Sequence, residues 1–237
     1  NGVEPFAYLK ATLEAIAAGH PETAKAGEAM LREGGNAFDA AVATAFVLQI
    51  VEPHLNGPAG DTPAIIHSAE TGETKVLCAQ AVAPAAATID HFTGLGLKLI
   101  PGSGLLATVV PGAFDGWMMM LRDHGTMGLR DVLQPAIDYA RDGHPMLPRV
   151  ADTIAGLQTF FEDEWPTSAA VWAPDGKAPA PNALFKNPDL ADTYDRLARV
   201  ADETSGDRAA AIDAAVVHYY SRDSFDDLAT DGDFDYY

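Results

Sequence analysis

The chain has 237 residues, of which 34 are acidic and 15 basic, giving a net charge of −19, and 48% are hydrophobic. This hydrophobic content is ordinary for a globular protein and argues against general disorder. The length fits one large domain or two small ones. The strongly negative charge argues against nucleic acid and anionic membrane surfaces as partners.

Cysteine content and terminal sequence bear on location. Cys78 is the single cysteine of the sequence, so no disulfide forms within the chain. It falls in a predicted strand, where we expect a buried, unreactive thiol. No signal peptide or transmembrane run is recognisable, and because the chain begins with Asn1 we expect that something N-terminal is missing or removed. Cytoplasmic, periplasmic and secreted locations therefore all stay open.

The first predicted elements are two helices joined by a tight turn. The first helix spans residues 24–33 and stops at a pair of glycines, which adopt the left-handed turn after a helix at little cost. Asn36 is the predicted cap of the second helix, residues 37–51, with Asp39 near its positive end. This second helix is apolar on nearly all sides, as is typical of a buried helix. The chain leaves it through a glycine-bounded loop that ends at Asp61.

The next predicted elements are strands. Residues 64–69 and 74–78 are separated by a glycine turn and predict a hairpin. Residues 94–116 are rich in glycine, and within them residues 105–110 predict a short strand or a buried segment. The remaining predicted helices cover residues 114–122, 129–141, 150–162, 188–201 and 207–219. Residues 165–188 are rich in proline and predict an irregular connection, and residues 221–237 form an acidic tail with no predicted element.

Five ordered motifs carry a family resemblance. They are REGGNAFDAAVA followed by VEPH (32–43 and 51–54), APAAA (83–87), VPGAFDGW (110–117), HGTMGL (124–129), and QPA followed by ARDG (134–136 and 140–143). Together they resemble the large subunit of the gamma-glutamyltranspeptidase family, whose members are N-terminal-nucleophile hydrolases. The resemblance covers roughly residues 16–150 and fades after them.

The resemblance implies a fold and a partner. The residues alone support a mixed helix and strand (α/β or α+β) protein, whereas the family implies a four-layer αββα sandwich. Residues 1–237 would then be one domain, the large (alpha) subunit of a heterodimer, giving outer helices and part of a sheet. The small (beta) subunit would come from the same precursor by autocatalytic cleavage. A higher oligomer stays open.

The resemblance also implies where the chemistry lies. In the family, a threonine at the new N-terminus of the small subunit attacks the substrate amide, and its own amine acts as base. We therefore expect no catalytic residue in this chain, and Asn1 has no nucleophilic hydroxyl to replace that threonine. The family implies no organic cofactor, and the histidines lack the spacing of metal ligands.

Three residues are candidates for substrate binding. The large subunit of glutamyl-transferring members supplies an arginine to the donor carboxylate just before the segment that APAAA resembles, and here that position holds Gln80. Asn56 and Asp61, in the glycine-bounded loop, are the other two. The alternatives are a solvated strand-end residue for Gln80, and side chains that satisfy backbone groups for the loop residues.

The expected function is amide hydrolysis or acyl transfer on a small-molecule donor. A neutral glutamine in place of a charged bidentate arginine disfavours gamma-glutamyl transfer from glutathione. Two alternatives stay open: a true glutathione gamma-glutamyltransferase or hydrolase that binds the donor carboxylate elsewhere, and an inert scaffold that has lost its chemistry.

Overall fold

The computed structural model describes residues 21–69 and 71–221. They form two compact units: the first combines the residues up to Asn56 with those from Met120 onward, and the second is Gly57–Met119. A single-domain organisation of residues 1–237 stays a prediction. Asn1 and the acidic tail predicted for 221–237, apart from Ser221, lie outside the described residues.

The described residues form a helix-rich α+β fold. The helices are α1 Pro21–Arg32, α2 Ala37–Val51, α3 Ile89–Gly94, α4 Ala113–His124, α5 Leu129–Asp142, α6 Pro148–Glu164, α7 Pro166–Trp172, α8 Pro188–Glu203 and α9 Arg208–Tyr219. The strands are β1 Thr62–His67, β2 Thr74–Ala79, β3 His144–Pro145 and β4 Leu184–Phe185. β1 pairs with β2 and β3 with β4, both antiparallel. Across the described ranges, no helix combines the length and apolar character needed to cross a membrane.

The turn between α1 and α2 is the one that the sequence predicts. Gly34 has a φ of 95°, in the left-handed region, and the Gly35 N–H donates to the Met30 carbonyl oxygen over 2.9 Å. The Asn36 side chain then caps α2, and the Asp39 carboxylate accepts the Asn36 backbone N–H. Each of these interactions satisfies a backbone group left open at a helix end. The predicted bounds of α2 are confirmed.

Helices α1, α2, α5 and α8 build the core of the first unit. α2 packs against α1 and α5, and α5 also packs against α8. The Tyr194 hydroxyl of α8 donates to Gln49 Oε1 of α2 over 2.6 Å, and its ring lies 5.3 Å from the Phe46 ring, edge to face. The apolar stripe of α5 is buried as predicted: Leu129, Val132, Leu133, Ala136, Ile137 and Ala140.

The proline-rich stretch 165–188 differs from the irregular connection that was predicted. It contains helix α7, which begins at Pro166 because proline suits the first turn of a helix. It also contains β4, whose Phe185 pairs with His144 of β3. The Trp172 ring stacks on Phe185 at 5.4 Å. Proline density therefore marked helix starts and turns here, rather than a lack of structure.

The second unit is built on the β1–β2 hairpin. Its register pairs Ile65 with Val76 and Pro63 with Cys78, and these residues are exposed, whereas Ile66 and Leu77 on the other face are buried. The prediction that Cys78 is buried is therefore wrong. Alternate side chains of a strand point to opposite faces, and one face of this two-stranded sheet is uncovered.

The glycine-rich segment of the second unit has little regular structure. The prediction of a short strand or buried segment at residues 105–110 is wrong, because Leu105–Ala107 forms a single 3₁₀ turn and Leu105 is exposed. Gly104, with a φ of 85°, starts that turn. Helix α3, which the sequence did not predict, is capped by the Thr88 hydroxyl.

Candidate functional site

Three segments meet in the second unit: the glycine-bounded loop, the start of α4 and the main chain after β2. The carbonyl oxygen of Gly60 accepts the backbone N–H groups of Gly112 and Ala113, over 3.3 and 2.7 Å. The Phe114 N–H donates to the Pro58 carbonyl oxygen over 3.1 Å. These bonds satisfy N–H groups at the start of α4, which have no partner within the helix. The glycine-bounded loop is thereby fixed to the start of α4.

The third segment begins at Gln80, directly after β2. The Ala81 N–H donates to Asp61 Oδ1 over 2.9 Å, and the Val110 N–H donates to the Val82 carbonyl oxygen over 2.9 Å. The main chain after β2 is therefore tied both to the glycine-bounded loop and to the segment before α4. Two of the three residues predicted to bind substrate, Gln80 and Asp61, belong to this junction.

Gly112 allows these segments to approach closely. A Cβ atom added to Gly112 would lie 2.7 Å from the Ala79 carbonyl oxygen and 3.0 Å from the Ala81 nitrogen. Backbone atoms cannot move aside as the end of a flexible side chain can. Glycine is therefore required at Gly112, for close backbone approach rather than for a special φ angle. The sequence motif marked this glycine but did not reveal its neighbours.

The Gln80 side chain is exposed at this junction. The Cys78 Sγ atom lies 3.8 Å from Gln80 Oε1, at the long end of a hydrogen bond donated by a thiol. The carboxamide offers donors and an acceptor but no charge. Its proposed contact with substrate stays a prediction.

The two loop candidates make the backbone contacts that were the alternative interpretation. Asp61 holds the Ala81 N–H, as described above. Asn56, which belongs to the first unit, donates from Nδ2 to the Glu52 carbonyl oxygen over 3.4 Å. Both side chains thus satisfy main-chain groups, and a direct role of either in binding substrate stays a prediction.

An ion pair that the sequence did not predict lies where α2 ends, in the first unit. The Glu52 side chain is 5% exposed and pairs with the guanidinium of Arg149, which is 55% exposed. The Glu52 carbonyl oxygen also accepts the Leu55 N–H over 3.1 Å. Glu52 therefore fixes the point at which the chain leaves α2 towards the loop. The available signal was an acidic residue directly after a helix that is apolar on nearly all sides, since a buried carboxylate needs a counter-ion.

A second buried carboxylate in the first unit joins α2 to the turn before α5. Asp39 accepts hydrogen bonds from the backbone N–H groups of Asn36, Thr126 and Met127 and from the Thr126 hydroxyl, over 2.7 to 3.1 Å. Burial alone would raise the pKa of the Asp39 carboxyl, but these bonds outweigh it and hold the pKa below the ordinary value. Asp39 is therefore a structural anion.

Within residues 21–69 and 71–221, no group of three or more histidine, cysteine, aspartate or glutamate side chains is arranged to hold a metal ion.

Comparison with known proteins identifies the family. The gamma-glutamyltranspeptidase family model matches residues 23–217. The glutathione hydrolase-like YwrD proenzyme of Bacillus subtilis (strain 168) is 35% identical over 190 residues, which cover 79% of this chain and 35% of that protein. The oxamate amidohydrolase proenzyme of Klebsiella pneumoniae is 34% identical over 176 residues, which cover 72% of this chain and 33% of that protein.

A solved structure agrees with these sequence matches. The structure of LmbA2991HD matches with a TM-score of 0.80 and 52% identity, covering 84% of this chain and 34% of that one. The chain thus spans about a third of the length of the curated relatives that it matches. The family match covers most of the chain and confirms the resemblance drawn from the sequence motifs. The chain belongs to the gamma-glutamyltranspeptidase family.

Proposed function

We propose that this chain is the large subunit of an amidohydrolase or acyltransferase of the gamma-glutamyltranspeptidase family. The nucleophile would be the N-terminal threonine of a small subunit cut from the same precursor. Two observations support this proposal: the family match over residues 23–217, and the naming of both curated relatives as proenzymes. The substrate would be a small-molecule amide.

The proposed reaction has two steps. The threonine hydroxyl attacks the carbonyl carbon of the donor amide, and the threonine's own amine takes the hydroxyl proton. The amide C–N bond breaks, the leaving amine takes that proton, and the acyl group stays on the threonine as an ester. Water or an acceptor amine then removes the acyl group and restores the hydroxyl. In this scheme the large subunit orients the donor.

The observation that carries the proposed specificity is the side chain at Gln80. It is exposed at the junction where the glycine-bounded loop, the end of β2 and the start of α4 are hydrogen-bonded together. A charge-assisted bond from arginine to a carboxylate contributes about 1.5–3 kcal/mol, more than a neutral amide contributes. The proposed donor is therefore an acyl amide that lacks the α-carboxylate of a glutamyl group.

A side-by-side assay tests this specificity. The processed enzyme is given glutathione and a butyryl amide, which has the same acyl chain as the glutamyl group but lacks its α-amino and α-carboxylate groups. We expect the higher kcat/KM for the butyryl amide, and Gln80→Arg should shift the ratio of the two kcat/KM values towards glutathione by about ten-fold or more. A wild-type preference for glutathione would reverse the choice of donor.

The second candidate function is glutathione hydrolysis or gamma-glutamyl transfer. It is favoured by the name of the relative with 35% identity, a glutathione hydrolase-like proenzyme. It requires the donor carboxylate to be bound by a cation other than one at position 80. The same assay decides between the two functions, because under the second candidate Gln80→Arg is not needed for activity on glutathione.

The proposed partner also accounts for the uncovered hairpin. Within the described residues, β1 and β2 form a sheet of two strands with both edges open. Ile65 is 78% and Val76 73% exposed on its outer face. A two-stranded sheet is marginally stable by itself. We propose that strands outside this chain extend it into one sheet of a four-layer αββα sandwich.

Mass spectrometry of the purified protein tests the partner. We expect a second polypeptide whose first residue is threonine. A single chain of 25.0 kDa that is stable alone would support the inert scaffold instead.

A further inference from the structure

We infer that Asp61 is a positioning residue, whose carboxylate sets the main chain around Gln80 and does not itself contact the substrate. This inference rests on the proposed function, because it assigns to Gln80 the contact with the donor. It reassigns Asp61, which the sequence presented as a substrate-binding candidate.

The strand register sets Asp61 beside Gln80. β1 and β2 are antiparallel, and their last pair is Thr62 with Ala79. The same register, continued by one residue, brings Asp61 opposite Gln80. There the Asp61 side chain, rather than another backbone group, accepts the Ala81 N–H over 2.9 Å. The Asp61 carboxylate thus extends the hydrogen-bonded ladder past the residue that would contact the donor.

The direction of the Gln80 side chain depends on this stretch of backbone. Successive side chains of a strand point to opposite faces, so Gln80 shares a face with Cys78 two residues before it. The distance of 3.8 Å between Cys78 Sγ and Gln80 Oε1 agrees with this direction. A rotation of the main chain at Ala81 would turn the Gln80 carboxamide away from that face.

The main chain on both sides of Gln80 is also held by the segment before α4. The Val110 N–H donates to the Val82 carbonyl oxygen, and Gly112 leaves no room for a Cβ atom beside Ala79 and Ala81. Asp61 supplies the side-chain part of this support. Its Oδ1 atom is already occupied by the Ala81 N–H, as expected of a group that orients rather than binds.

The test uses Asp61→Ala and Asp61→Asn in the complete processed enzyme, each with and without Gln80→Ala. Asparagine keeps an oxygen acceptor for the Ala81 N–H, whereas alanine removes it. We expect Asp61→Ala to lower kcat/KM on the preferred amide about ten-fold and Asp61→Asn to stay close to wild type. In the Gln80→Ala background, Asp61→Ala should have no further effect, because its action passes through Gln80. The matched control is Asp90→Asn, at an exposed aspartate of α3 in the same unit.

Two results on activity would overturn the inference. Equal losses in Asp61→Ala and Asp61→Asn would mean that the negative charge itself acts on the substrate. Independent, additive losses in the double variant would mean that Asp61 does not act through Gln80.

Hydrogen exchange of the Ala81 amide separates this inference from the proposed function. Exchange should be faster in Asp61→Ala and unchanged in Asp61→Asn, and unchanged exchange in Asp61→Ala overturns the positioning role whatever the activity. A wild-type enzyme that cleaves neither glutathione nor the butyryl amide overturns the proposed function instead.

Discussion

Asp39 joins two elements of the first unit through a buried carboxylate. Its buried carboxylate accepts backbone N–H groups from both the start of α2 and the turn before α5. Asp39→Asn would place an NH₂ group against these donors and leave buried N–H groups without a partner. We expect a loss of about 3 kcal/mol in the free energy of unfolding, measured by urea denaturation.

Asp131 provides a matched control for Asp39. It occupies the same position in the first turn of α5 and accepts one backbone N–H, from Gly128 over 3.1 Å, but it is exposed. Asp131→Asn should cost about 1 kcal/mol or less. Equal losses in the two variants would show that burial of Asp39 adds nothing to helix capping.

Acid should reduce the stability that wild type gains over Asp39→Asn. Because the folded-state pKa of Asp39 lies below its ordinary value of 3.8, its stabilisation is complete above that value and is lost as the pH falls through the folded pKa. The difference in unfolding free energy between wild type and Asp39→Asn should therefore be constant near neutral pH and narrow below about pH 4. A difference in unfolding free energy that is as large at pH 2 as at pH 7 would contradict this assignment.

At the scale of elements, the ion pair between Glu52 and Arg149 joins the end of α2 to the first turn of α6. Arg149→Gln would leave the buried Glu52 carboxylate without this cation. We expect a loss of about 2 kcal/mol, less than for a fully buried pair because the guanidinium is partly solvated. Arg149→Lys should retain part of the stability.

Arg141 is the control for that prediction. It pairs with Asp192 over 3.1 Å, and both side chains are exposed. Exposed pairs contribute about 0–1 kcal/mol, so Arg141→Gln should have a small effect. If Arg149→Gln were no more destabilising than Arg141→Gln, the burial of Glu52 would add nothing to the stability that its ion pair contributes.

The elements that the sequence predicted well have local stop and start signals. Gly34 and Asn36 set the turn before α2, and proline at Pro188 starts α8, because each acts on its own backbone. The exposure of Cys78 was mispredicted because it depends on what covers the hairpin face. The candidate site shows the same division. The position before APAAA singled out Gln80, and the glycine-bounded loop singled out Asp61. The contact between Asp61 and Ala81, twenty residues apart in sequence, was not predicted.

At the scale of the whole molecule, acidic residues outnumber basic ones by 34 to 15. Several arginines already have carboxylate partners: Arg130, for example, pairs with Asp195 and Asp202 of α8. The excess negative charge therefore has no matching cations in this chain. Like charges held close together destabilise the compact state, and dissolved salt screens them.

Salt should therefore stabilise this protein. Ion pairs weaken as salt is added, but exposed pairs contribute little, whereas the net charge of −19 leaves a repulsion that screening removes. We expect the midpoint temperature of thermal unfolding to rise as sodium chloride increases from about 0.05 to 1 M. At 1 M the screening length falls to about 3 Å. Arg130→Gln removes a cation beside two aspartates, so its loss of stability should be larger at low salt than at high salt. A midpoint that falls with salt would mean that attractive ion pairs, rather than the excess negative charge, dominate the electrostatics.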